Sequence, residues 1–168
     1  MKPRVALDAD VVKQLLDALN WREGPAPDAQ GLAALRIYFY VTNPLITPTV
    51  AAEIEQATEA TWRNHVFEEI ARQDDFYRGC VKGMAERYID YHPDPRDCRV
   101  VAEAECAKAD TLLTLNGGLV RGLGGRSEAL NVRRPSEYWK RAHVPRGSTP
   151  RTTPAEASPL LRADWWRW

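Results

Sequence analysis

Four polar residues stand where apolar segments of the chain end or helices begin. Asp8 closes the run RVALD (4–8), Glu53 lies six residues past Thr47 in ITPTVAAEI, Asp97 opens DCRVVAEAEC, and Asn116 follows the run DTLLT (110–114). Three of them are carboxylates, far apart in sequence. Carboxylates gathered in one place repel and raise one another's pKa, so a stable cluster needs a cation. Hard oxygen donors with no His or Cys beside them suit Mg²⁺ or Mn²⁺ rather than zinc. Each residue also has an ordinary account. Asp10 and Asp97 are good helix caps, Glu53 suits a surface, and Asn116-Gly117 is a turn dipeptide. Asp8 is not explained by capping, and that residue moves the set toward a shared metal site.

Such a site requires elements that bring the four together. RVALD reads as a buried strand, and Val11, Val12, Leu15, Leu16 and Leu19 recur at helical spacing behind Asp10. REGPAPDAQG (22–31) is a loop by its prolines and glycines. LAALRIYFYVTN (32–43) fits a helix by length and a strand by composition. PLIT (44–47) is a very short strand, and PTVAAEIEQA (48–57) a helix with proline at its start. Amphipathic helices are expected over 59–72, 74–91 and 97–109, with a buried strand over 110–114. ALNVRRP (129–135) is a last strand, followed by a helix over 136–142 with an imperfect capping box at Ser136. GGLVRGLGGR (117–126) fits no phosphate-loop pattern and reads as a flexible connector. This order implies an α/β fold, three layers α/β/α around a mostly parallel sheet of four or five short strands. Ligands of such sheets sit at the carboxyl ends of the strands, where all four polar residues fall.

These segments resemble the PIN domain, the fold of many Mg²⁺- or Mn²⁺-dependent ribonucleases, including the VapC-like toxins of toxin–antitoxin pairs. VALDADVV is similar to the family's first segment and makes Asp8 its first metal carboxylate. ITPTVAAEI makes Glu53 the second. DCRVVAEAECAKADTLLTLN makes Asp97 the third and Thr114 the threonine at the strand end. The likeness covers residues 4–142, and it implies a metal-dependent endoribonuclease acting on RNA, with an antitoxin and a second copy of the chain as partners. At the family's fourth acidic position stands Asn116, which brings no charge. That implies weakened metal affinity and leaves a non-cleaving RNA- or protein-binding module as the alternative. DADVV also resembles the opening of haloacid dehalogenase phosphatases, with Asp8 as nucleophile and Asp10 as acid/base. That class needs a later lysine, for which Lys108 is the candidate, and an acidic pair that TLLTLNGG lacks.

Charge is uneven along the chain. Residues 1–118 hold 13 Lys+Arg against 19 Asp+Glu, and residues 119–168 hold 10 against 4. The basic third follows the candidate site, so Arg121, Arg126, Arg133 and Arg134 are its candidates for phosphate contacts. No apolar run reaches the roughly 20 residues of a membrane span. With Asp8 so close to the N-terminus, no secretory leader is expected. Cys80, Cys98 and Cys106 form no CxxC and read as free or buried thiols of a reducing cytoplasm. The nuclease domain is expected over 1–143. Residues 144–168, proline-rich and ending in DWWRW, form a tail expected to pack on protein, at a dimer interface.

Overall fold

The computed structural model describes residues 1–58, 61–70 and 73–168. Five short strands, β1 (Val5–Leu7), β2 (Leu45–Ile46), β3 (Glu68–Glu69), β4 (Thr111–Leu113) and β5 (Asn131–Arg133), form an all-parallel sheet of order β3-β2-β1-β4-β5. The helices are α1 (Ala9–Leu19), α2 (Ala29–Arg36), α3 (Pro48–Thr58), α4 (Asp75–Tyr88), α5 (Pro95–Cys106), α6 (Gly117–Leu123) and α7 (Pro135–Arg141), giving the three-layer α/β/α arrangement. α2 packs against α1 and α7, and α4 against α5. The central strands β1 and β4 are buried on both faces, which is why they read as unbroken apolar runs.

Register does the positioning. Leu7 pairs with Leu113, Leu113 with Arg133, and Ala6 with Leu45. The residues that follow the four adjacent strands, Thr47, Asp8, Thr114 and Arg134, therefore form a row along the carboxyl edge of the sheet.

Several boundaries differ from the sequence reading, each for a local reason. The cap of α1 is Asp8 itself, whose Oδ1 accepts the Ala9 N–H at 2.8 Å, and not Asp10. Asp94 caps α5 and Pro95 opens it, so Asp97 sits inside the first turn instead of ahead of it. α2 starts inside the expected loop because Asp28 caps it through Gln30 and Gly31. The ambiguous stretch 32–43 is helical as far as Val41, closing in a π-helical turn, Ile37–Val41, before extended Thr42. The connector expected at 117–126 is largely α6, which buries Leu119 and Leu123. Ser136 makes no capping box; it exchanges two hydrogen bonds with Gln30 and ties α7 to α2. The helix expected over 59–72 is instead a 3₁₀ turn, Thr61–Asn64, and then β3, with residues 59, 60, 71 and 72 outside the described residues. β3 is an edge strand bearing two exposed glutamates, one of them paired with Arg4 at 2.6 Å.

Two further expectations change. Cys80 and Cys106 form a disulfide between α4 and the end of α5, leaving Cys98 as a buried thiol. Cys80 and Cys106 are thus a cross-link and not free or buried thiols, because helices in contact bring two sulfurs together that sequence spacing does not relate. The tail returns to its own chain. Trp166 is 0% exposed against Phe39, with ring centroids 4.7 Å apart, and its indole N–H donates to the Leu160 carbonyl. The Phe39 carbonyl, within the π-helical turn, accepts the Arg151 N–H at 2.7 Å. Arg36 donates to the Trp165, Trp166 and Arg167 carbonyls. Trp166 thus finds its burial within its own chain, with Trp165 and Trp168 packed partly buried against the same core.

Candidate active site

Asp8 leaves β1 as the first polar residue after three buried ones, so capping and burial act on it together. Its Oδ2 accepts the Thr114 hydroxyl at 2.9 Å, and the Thr114 oxygen accepts the Asn116 N–H at 3.1 Å. Asp8 is 4% exposed. Burial pushes its carboxyl above the usual aspartate range. The Thr114 and Ala9 hydrogen bonds and the Arg96 charge pull it back, and Asp97 adds to the rise.

Asp97 is 6% exposed and fully engaged. Its Oδ1 takes the Arg96 Nη1 at 3.0 Å, and its Oδ2 lies 2.9 Å from His92 Nε2 and accepts the Asn116 amide N–H at 3.2 Å. Glu53 arrives from α3, more open to solvent, with Lys13 Nζ at 3.6 Å. A second contact fixes α3 against α5. Glu103, 1% exposed, accepts both the N–H and the hydroxyl of Thr49, and it pairs with Arg99. Glu53 follows Thr49 by one helical turn, so this buried carboxylate sets the spacing between Glu53 and Asp97.

The three carboxylates meet around one cation, and it is a side chain. Arg96 Nη2 pairs with Glu53 and lies 3.6 Å from Asp8 Oδ1, while its Nη1 holds Asp97. Burial lowers the affinity of this guanidinium for its proton, but Asp8, Glu53 and Asp97 outweigh that and raise it. Among the described residues no group of three or more His, Cys, Asp or Glu is placed so that it could hold a metal ion. The donors gathered here are carboxylate oxygens, the type that hard divalent cations take. Two buried carboxylates and one more accessible one share the Arg96 guanidinium, whose side chain is 37% exposed.

Asn116 enters the cluster differently from the sequence expectation. Its Oδ1 accepts the Leu119 N–H and caps α6, which turns the Nδ2 toward Asp97. The amide oxygen is committed to the helix, so the residue serves Asp97 as a donor and is not placed as a ligand. Of the four arginines, Arg121 and Arg134 converge. A Cβ built on Gly117 would lie 3.1 Å from Arg121 Nη1 and 3.2 Å from Arg134 Nη2. Arg126 lies over the Tyr91 ring at 4.3 Å, and Arg133 turns to Asn131 on its own strand.

Arg96, His92, Lys13 and Glu103 are the residues that sequence reasoning missed. Arg96 is adjacent to Asp97 in sequence, the one available signal, but adjacency on a helix does not give direction. The residues of the phosphatase reading do not gather. Asp10 is exposed and approaches Lys13, and Lys108 precedes β4, at the amino edge of the sheet opposite Asp8. No protein family and no curated protein matches the sequence.

Proposed function

We propose that this protein is a divalent-metal-dependent endoribonuclease of PIN type, with RNA as substrate. The observation that supports it best is the gathering of Asp8, Glu53 and Asp97 around one positive centre at the carboxyl edge of a parallel sheet. Asp8, Glu53 and Asp97 would hold Mg²⁺ or Mn²⁺ in place of the Arg96 guanidinium. A divalent ion so bound supplies an activated water and neutralises charge on a scissile phosphate. The chain's own residues do the rest. Thr114 fixes the rotamer of Asp8 through Oδ2, while His92 and Asn116 fix that of Asp97. Arg96, if not engaged by the carboxylates, would be available to contact the phosphodiester, and Arg121 with Arg134 would offer a second anion contact beside Gly117.

A second reading has its own observation. A cluster already neutralised by Arg96, with uncharged Asn116 at its side, suits a module that binds RNA without cutting it. The resemblance also assigns the chain a toxin role with an antitoxin, which a small adjoining reading frame would support.

Cleavage of a labelled single-stranded RNA separates the two readings. The nuclease cuts with Mn²⁺ or Mg²⁺, stops in EDTA, and loses at least ~100-fold in Asp97→Asn. Cutting that persists in EDTA or in Asp97→Asn would contradict it, and binding without cutting at any metal concentration supports the module.

A further inference from the structure

Tyr91 is the exposed large apolar side chain closest in sequence to the carboxylate cluster. It is 49% exposed, and the next residue, His92, touches Asp97. Its backbone is held from both sides. The Tyr91 N–H donates to the Tyr88 carbonyl at the end of α4. On the other side, a Cβ on Gly122 would come within 2.9 Å of the Tyr91 carbonyl and 3.2 Å of His92 Nδ1, so α6 seats against this loop only because residue 122 is glycine. The backbone that carries the ring is therefore packed in place, with the Arg126 guanidinium 4.3 Å from the ring and half of the residue open to solvent. A short distance along α6, Arg121 and Arg134 bring their guanidinium groups together at Gly117, beside Asn116. No carboxylate among the described residues forms an ion pair with Arg121, Arg126 or Arg134. An unneutralised basic pair next to a half-open aromatic ring is what a nucleotide requires: a surface for the base and a fork for the phosphate.

We infer that Tyr91 and Arg126 form a stacking platform for an unpaired base of single-stranded RNA, with Arg121 and Arg134 gripping a backbone phosphate beside it. This rests on the ribonuclease reading and narrows its substrate. A duplex keeps its base faces stacked on one another, so it cannot use the platform, whereas a single strand or loop can splay a base onto it. The acidic cluster provides for the phosphate to be cut, and the platform sets which nucleotide lies next to it.

Fluorescence anisotropy of a labelled single-stranded RNA of about 12 nucleotides, a length within the usual span of single-strand sites, tests this apart from cleavage when the full chain is titrated in EDTA. The expected result is that Tyr91→Ala weakens binding by about tenfold or more and Tyr91→Phe keeps it, as aromatic stacking requires. A blunt duplex of the same sequence binds more weakly, and Tyr91→Ala leaves its affinity unchanged. The double variant Arg121→Gln/Arg134→Gln lowers the slope of log affinity against log salt by roughly 0.7 for each phosphate that is no longer neutralised. Equal single-strand affinity in Tyr91→Ala and wild type, or no binding by wild type, would overturn the platform. If Tyr91→Ala binds normally while metal-dependent cutting disappears in Asp97→Asn, the platform falls and the nuclease stands. If Tyr91→Ala loses binding but wild type never cuts, the platform stands and the nuclease falls.

Discussion

The carboxyl edge of the sheet and the seam under the C-terminal tail are built from opposite materials. At the edge, Asp8 and Asp97 are buried carboxylates that repel each other and are held together by Arg96, Thr114, His92 and Asn116. At the seam, Trp166, Leu160 and Phe39 are buried among apolar neighbours, and polar groups there serve mainly to fix the tail's backbone. Burial stabilises the fold at the seam and opposes it at the edge. A region that works against stability yet keeps its charges points to use, whereas one that gains from burial explains itself. The same contrast separates Trp168, contacted by Arg36 and Arg146, from Tyr91, which is left half open.

The largest test breaks the seam. Trp166→Ala removes a fully buried indole and is expected to cost about 3–5 kcal/mol, read as a fall in Tm of roughly 10 °C in calorimetry. An unchanged Tm would show that the tail does not dock as described. The next sharpens the edge from its far end, since α5 carries Asp97 at its start and Cys106 at its finish. Reduction, or Cys106→Ser, is expected to cost about 2–4 kcal/mol through the freed loop. Peptide mapping without reductant should recover a Cys80–Cys106 pair with Cys98 unmodified until unfolding. The smallest inverts the usual sign. Because burial raises the Asp8 pKa in the folded state, its charge opposes folding. Stability tied to this group is fully present below the ordinary aspartate range and is lost as pH rises through the folded-state value. In metal-free buffer, Asp8→Asn should therefore stabilise the protein at neutral pH, with the gain vanishing near pH ~4. Asn keeps an oxygen for the Ala9 N–H, so the cap survives. A loss of stability at neutral pH would mean that Arg96 more than offsets the burial of Asp8.

Legibility followed periodicity. Strands β1, β2, β4 and β5 and the edge that carries Asp8, Glu53 and Asp97 could be read because buried parallel strands are apolar runs and the polar residues after them mark their ends. β3 could not, since two exposed glutamates carry no strand signal and their pairing depends on the Glu68 N–H reaching the Pro44 carbonyl. α6 was hidden by its glycines, whose helix depends on a cap from Asn116 and on two buried leucines. The disulfide and Arg96 were hidden for a common reason. Both are contacts between elements, and spacing along one helix does not say what a neighbouring helix presents to it.

If the carboxylate cluster is the metal site proposed above, a divalent ion and the Arg96 guanidinium compete for the same three carboxylates. Calorimetric titration of Mn²⁺ into the wild type and into Arg96→Gln tests it most directly. The variant removes the guanidinium shared by the three carboxylates, leaving Glu53 to Lys13 and Asp97 to His92 and Asn116, so it should bind one ion at least about tenfold more tightly than the wild type, a difference of about 1.4 kcal/mol. Binding should disappear when Asp97→Asn is added. Equal affinity in both proteins, or no binding in either, would contradict the claim and make Arg96 a permanent part of the fold.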